Sequence, residues 1–287
     1  MVEGQVLLRF VRVLLRTGAV LAVVYGLVCL ALWRYQPRLM FFPAAELRGS
    51  PADLGLAYEE VWLPAGDGKV HGWWMPAADT AAPAVLYLHG NGSNIGDLVE
   101  RALLLHRLGC SVLLIDYRGY GLSSGPFPNE QRVYEDAKAA WQYLRRVQQV
   151  PGERLILYGR SIGGAIAIQL ATQHPEAAGL VVEATFTSMR AMVQQDSQWL
   201  WLPVDRLLTQ RFESLEKVRS LQMPLLLMHG TADRVVPAEM SQTLYDAAAT
   251  EDKTLLWVEG ADHNNLPLVA GDRYSQAVGA FIERYAR

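Results

Sequence analysis

Two pentapeptides of the chain read G-x-S-x-G, Gly121–Gly125 around Ser123 and Gly159–Gly163 around Ser161. A serine in this setting is a candidate nucleophile. Small neighbours let its hydroxyl stand exposed on a tight strand-to-helix turn, beside the positive end of the helix. The surroundings separate the two. In LILYGRSIGGAIAIQLA the apolar strand Leu155–Tyr158 runs directly into the turn, Gly159 and Gly163 leave room for it, and Gly164–Ala171 is small and apolar enough to pack on a sheet. Around Ser123 the strand VLLIDY ends several residues earlier, and Pro126 and Pro128 follow, so a helix cannot begin where an elbow needs it. Ser161 is the expected nucleophile and Ser123 an expected turn serine.

A serine hydroxyl needs a base, and the base needs an orienting acid, in this arrangement in the chain order Ser, Asp or Glu, His. Of six histidines, only His263, in VEGADHNNLP after the last expected strand, lies beyond every candidate acid. His89 and His229 each precede a glycine at a strand end and are expected to be structural or to line a pocket. His71, His106 and His174 occupy ordinary strand or helix positions. The acid is expected at Asp233, in MHGTADRVVP, with Glu183 at the end of an earlier strand as the alternative; Asp262 stands too close to His263 to orient its ring. Two fixed donors must meet the developing oxyanion. The backbone N–H of Ile162, directly after the serine, is one. The N–H of Asn91 in LHGNGSN is the other, with Gly90 and Gly92 allowing close approach.

These residues must be held by elements that place strand ends side by side. Tyr58–Leu63 and Val70–Met75 alternate around AGDG, a hairpin signal, and Ala84–Leu88 is a short apolar run ending at His89. Then come a helix over Ile95–Leu108, the strand SVLLIDY, a helix over Gln131–Val147, the strand RLILY, a helix over Gly163–His174 and the strand GLVVEA. After these follow PLLLMHG, a helix over Ala238–Ala249, TLLWVEG and a helix over Asp272–Tyr285. The alternation predicts an α/β fold, a mostly parallel, doubly wound sheet opened by an antiparallel hairpin. One interval, about 185–223, replaces a single helix and reads as a lid or a packed helix pair. Its Trp199, Leu200, Trp201 and Leu202 are unusually apolar for a surface loop, and Trp199, Trp201 and Leu202 are candidate substrate contacts.

The motifs GRSIGG, LHGNGSNIGD, DYRGYGLSSGPFPNE, TADRVVP and GADHN together resemble the α/β-hydrolase superfamily from about Tyr58 to the C-terminus. More narrowly, the N-terminal hydrophobic segment, the following FFP and a lid containing WLP resemble a membrane-anchored branch with bud-emergence-type hydrolases and protein depalmitoylases. The resemblance implies a serine hydrolase acting on an ester or thioester through an acyl-enzyme at Ser161, without a cofactor. It also implies that DYRGYGLSSG is a structural turn. Lipase, carboxylesterase, acyl-protein thioesterase, exopeptidase and acyltransferase chemistries share such a site, as does a non-catalytic scaffold.

Composition narrows the remaining possibilities. A net charge of −3 and a pI near 6.1 provide no basic field of the kind that gathers nucleic acid. Two cysteines, Cys29 and Cys110, make neither a disulfide framework nor a metal site. The uncharged run Thr17–Trp33 is long enough for a single membrane anchor. Residues 1–16 form a basic, apolar lead-in, 34–57 a linker, and 58–287 the hydrolase-like domain. A cleaved signal peptide and a buried core helix are the rival readings of the run. Arg9, Arg12 and Arg16 before it, against Arg34 and Arg38 after it, lean towards an extracytoplasmic domain. The expected partners are a small-molecule or acylated substrate and the membrane.

Overall fold

Strands in which every residue is buried can pair only in the interior of a sheet covered on both faces. Such are β3 (Ala84–Leu88), β4 (Ser111–Ile115), β5 (Leu155–Arg160), β6 (Gly179–Glu183) and β7 (Leu225–Gly230). The structure, a computed structural model, describes residues 2–199 and 201–286. In it these five strands join β1 (Glu59–Ala65), β2 (Gly68–Met75) and β8 (Lys253–Val258) in one eight-stranded sheet of order β1-β2-β4-β3-β5-β6-β7-β8. β1 and β2 form an antiparallel hairpin and β2 meets β4 antiparallel; every later pairing is parallel. The sheet is the mostly parallel, doubly wound one that the alternation of elements predicts.

Alternate residues of each central strand serve opposite faces. Leu86, Leu88, Leu113, Ile115 and Leu157 pack with residues of α3 (Glu130–Arg146), α4 (Ile162–Gln173), α7 (Ser214–Val218) and α8 (Glu239–Ala247). Val85, Tyr87, Val112, Leu114 and Ile156 pack with α2 (Val99–Arg107) and α10 (Asp272–Tyr285). α9 (Leu266–Ala270) precedes α10. Because β3 leads to β4 on one side and β5 to β6 on the other, the winding direction changes between β3 and β5. Their carboxyl ends leave a crevice, the usual place for a ligand in open α/β sheets.

The DYRGYGLSSG segment closes against the hairpin. Ser123 Oγ accepts from His71 N at 2.8 Å and donates to the Asp116 carbonyl at 2.7 Å, while Arg118 Nε reaches Asp136 at 2.6 Å. Ser123 is thus buried in a turn, facing away from solvent.

The N-terminal helix is longer than the uncharged run. α1 spans Val2–Met40, so residues 34–40, expected in a linker, continue the helix. Within Gln5–Met40 an 18-residue stretch has a mean hydropathy of 2.2 and is not covered by the rest of the chain, and the helix is long and apolar enough to cross a membrane. Pro37 lies inside it and removes the N–H that Trp33 would otherwise accept. Gln36 Nε2 reaches that carbonyl at 3.4 Å and also the Leu207 carbonyl at 2.5 Å.

The interval between β6 and β7 folds as short helices: α5 (Met189–Gln194), a 3₁₀ turn at Ser197–Trp199, α6 (Val204–Leu207) and α7. It leans on α1. Thr209 N donates to Gln36 Oε1 at 2.8 Å, Tyr25 OH donates to the Trp201 carbonyl at 3.3 Å, and the Tyr25 and Trp201 rings lie 5.7 Å apart. Leu200 lies outside the described residues.

Close packing at the start of α4 admits no side chain. A Cβ on Gly163 would lie 2.1 Å from the Leu88 carbonyl, and one on Gly159 2.2 Å from the Gly163 carbonyl. Both obstacles are backbone. Gly163→Val is expected to destabilise the fold by about 3 kcal/mol or more, at the upper end of overpacking costs, read as a lowered midpoint in urea unfolding. A midpoint equal to the parent's would show that the helix can move away from β3.

Candidate active site

Ser161 sits between β5 and α4 with φ 55° and ψ −123°, a left-handed conformation for a residue with a side chain. Such a backbone costs roughly 1–3 kcal/mol and persists only where its surroundings over-determine it. Here they do. Ser161 N donates to the Glu183 carbonyl at 2.8 Å, and the Ser161 carbonyl accepts from Thr185 Oγ1 at 2.7 Å and Gly164 N at 2.9 Å. The consequence is a side chain aimed outward at the β3/β5 crevice.

His263 Nε2 lies 3.1 Å from Ser161 Oγ, and its Nδ1 lies 2.7 Å from Asp233 Oδ2. An ionised carboxylate only accepts, so Nδ1 carries the proton and the Nε2 lone pair faces the serine hydroxyl. Asp233 has no exposed side-chain surface. Burial alone would raise its pKa, but hydrogen bonds from His229 and His263 and from the Val236 amide hold it well below the ordinary 3.8. The Val235 and Val236 amides donate to Oδ1 at 2.8 and 2.9 Å. The acid is therefore ionised at neutral pH and fixed against the ring.

The Asn91 loop comes close to the elbow: a Cβ on Gly90 would lie 3.3 Å from Ser161 Cβ. The Asn91 side chain is engaged at both its oxygen and its nitrogen. Its Oδ1 accepts from Phe42 N at 2.9 Å and Tyr120 OH at 2.7 Å, and its Nδ2 donates to the Met40 carbonyl at 2.6 Å. What the loop can offer a ligand is its backbone N–H. The Ile162 N–H, first of α4, has no preceding carbonyl of that helix to meet and joins it at the positive end of the helix. His89, expected to be structural or to line a pocket, is fully buried, with Nδ1 2.7 Å from the Gly90 carbonyl. Burial pushes it down to about 4, so it is neutral at pH 7.

Glu183, the alternative acid, is committed elsewhere. Its carboxylate is fully buried and accepts from Arg101 at 2.9 and 3.2 Å, Tyr158 OH at 3.0 Å and Tyr274 OH at 2.8 Å. Arg160 Nε stands 3.6 Å away. From there Arg160 Nη2 donates to the His263 carbonyl at 2.7 Å and to Asn264 Oδ1 at 2.6 Å. Glu183 thus anchors the loop that carries His263. Sequence reasoning missed Arg160, Arg101 and Tyr274. The available signal was a pair of opposite charges, Arg160 and Glu183, each ending an otherwise apolar strand; the two residues are partners in the β5–β6 register.

His229 also proves more specific than a strand-end histidine. Its Nε2 lies 3.1 Å from Asp233 Oδ2, and its Nδ1 lies 2.6 Å from Ser241 Oγ. With the carboxylate as acceptor, Nε2 bears the hydrogen and Ser241 donates to Nδ1.

Of the lid candidates, Trp199 and Leu202 line an apolar cleft of about 410 Å³ between the lid and the end of α1. Trp201 does not. It lies beyond the 3₁₀ turn, against Tyr25 of α1, where it remains largely exposed. Another cleft, which His263 itself lines, also has Arg234, Val235, Asp262 and Asn264 in its wall.

A family model described as serine aminopeptidase, S33, matches residues 79–216 and 204–266. An uncharacterised protein of Mycobacterium tuberculosis is 37% identical over 270 residues, covering 93% of this chain and 94% of that one. The alpha/beta hydrolase domain-containing protein 17C of Mus musculus is 31% identical over 219 residues, 76% of this chain and 65% of its own. Among solved structures, an esterase of Pyrococcus furiosus superposes with a TM-score of 0.70 at 22% identity, covering 86% of this chain and all of that one, a likeness of fold.

Removing the Glu183 charge leaves Arg101 and Arg160 without their buried counter-ion. Glu183→Gln is expected to cost about 3 kcal/mol of stability at neutral pH, measured by denaturant unfolding. The parent carboxyl is lowered from its ordinary 4.5, with the two arginines outweighing burial. Its stabilisation is therefore complete above about 4.5 and drains away as pH falls through the lowered value. Glu183→Gln should show a shallower acid limb than the parent, and equal limbs would assign the pH dependence to other carboxyls.

Proposed function

The chain belongs to the α/β-hydrolase superfamily, a hydrolase family, and on that premise we propose that it is a serine hydrolase cleaving carboxylic esters or thioesters of acyl or lipid-like substrates. The observation that carries this reading is the line from Asp233 to His263 to Ser161, at 2.7 and 3.1 Å, ending on a serine with a left-handed backbone. In this mechanism Ser161 Oγ attacks the acyl carbonyl as its proton passes to His263 Nε2. Asp233 stabilises the imidazolium without taking the proton. The amides of Asn91 and Ile162 meet the oxyanion. Collapse breaks the acyl–oxygen or acyl–sulfur bond, and the leaving group takes the proton from His263. Water, deprotonated by His263, then attacks the acyl-enzyme and releases the acid.

The apolar cleft beside the lid and the long N-terminal helix favour a substrate with a hydrocarbon part, presented at a membrane that α1 anchors in a single pass. The slight excess of arginines ahead of the uncharged run keeps the lean towards an extracytoplasmic domain. The description of the matching family favours a second reading, release of an N-terminal aminoacyl group through the same serine. Matched ester and aminoacyl-amide substrates separate the two.

Labelling by a fluorophosphonate probe in one membrane preparation is the direct test. The parent and Ser123→Ala are expected to label, while Ser161→Ala does not. Asp233→Asn is expected to lower ester turnover by about 10⁴-fold, as loss of the orienting acid does in other serine hydrolases. Labelling that survives Ser161→Ala would sink the assignment of the nucleophile.

A further inference from the structure

α1 does more than reach across a membrane. Leu32, Gln36, Leu39 and Met40, near its C-terminal end, form one wall of the 410 Å³ cleft, and Met192, Leu202, Leu207 and Leu208 of the lid face them. The volume lies in the range of small-molecule sites. Gln36 spends its amide on the lid backbone at Leu207 and Thr209, so the polar side chain in this wall is tied up rather than offered to a ligand. Asp196, the remaining polar residue of the lining, stands on the lid side.

Both walls begin next to Ser161. The Met40 carbonyl and the Phe42 amide are held by the side chain of Asn91, one residue beyond Gly90, where a Cβ would touch Ser161. The lid leaves β6 through Thr185, whose hydroxyl holds the Ser161 carbonyl, and reaches Met189 of the cleft within one further turn of chain. The uncharged run Thr17–Trp33 of α1 exposes apolar side chains from Val20 to Leu30 and leads directly into the cleft wall at Leu32, so hydrocarbon around that run in a bilayer would adjoin the cleft.

We propose that the end of α1 and the lid together form the acyl-chain site, filled sideways from the bilayer by the hydrocarbon tail of the substrate. The proposal rests on the serine-hydrolase reading for its chemistry, but occupancy of the cleft can be read without it. The helix is then a wall of the binding site, and Asn91 couples that wall to the loop beside Ser161.

The test uses the full chain in phosphatidylcholine nanodiscs with two fluorophosphonates that differ in bearing a methyl or a dodecyl group on phosphorus. Partition of the longer probe into lipid raises its rate equally for every variant, so the dodecyl-to-methyl ratio is compared between variants. Leu39→Trp and Leu207→Trp, which fill the cleft, are each expected to lower that ratio about tenfold, a typical overpacking effect. Val147→Trp, on an exposed position after α3, is expected to keep the parent's ratio. Parent-like ratios in both filled variants overturn the proposal.

A second measurement needs neither turnover nor a stable variant. Dodecanoic acid with a terminal diazirine, photolysed on the parent, should mark peptides containing residues 32–40 and 189–208. Marks spread along 6–30 would instead mean ordinary lipid contact and overturn it, as would an interchain crosslink through the cleft by a second copy. If the parent labels with neither fluorophosphonate while the diazirine marks the cleft, the hydrolase reading fails and the chain site stands.

Discussion

The backbone of Ser161 occupies a conformation that a residue with a side chain ordinarily avoids, and the packing around it is arranged to hold it there. The constraint is contact between main chains. α4 starts so close to β3 that Gly163 cannot carry a Cβ, and so close to β5 that Gly159 cannot. That closeness brings the first N–H groups of α4 to the crevice between β3 and β5, where the winding of the sheet changes direction. Exposure of the hydroxyl, nearness of the Asn91 loop and a helix end facing any developing negative charge all follow from this one approach.

A second requirement is to hold three loops from distant parts of the chain to within a few tenths of an ångström. Apolar packing is poorly suited to that, since it has no preferred direction. Directional polar contacts do it here. Glu183 grips Arg101 and Arg160, and Arg160 reaches across to the His263 carbonyl. On the other side, His229 and two backbone amides fix Asp233. Every one of these groups loses water, so each is useful only because its partners are all present.

The N-terminal helix joins this system through Asn91 and Gln36, one binding the end of the helix and the other reaching from it to the lid. The lid is therefore supported by the same element that is long and apolar enough to cross a membrane. The end of this helix, the segment between β6 and β7 and the loop beside Ser161 are thereby tied to one another.

Much of this was legible in the sequence. The alternation of apolar strands and helices predicted the sheet, because burial on both faces leaves a continuous apolar run in each central strand. The setting of Ser161 separated it from Ser123, since glycines and a following apolar helix are local demands that local residues meet. Chain order singled out His263. What the sequence could not determine was which acid met it, because Asp233 and Glu183 both end strands, and only the tertiary structure shows Glu183 enclosed by two arginines while Asp233 reaches the ring. The uninterrupted course of α1 to Met40, the failure of Trp201 to line the cleft and the reach of Arg160 to the His263 loop were likewise decided in three dimensions. Residue type and spacing determine what a segment can do locally; partners a hundred residues apart are chosen by how the packed elements meet.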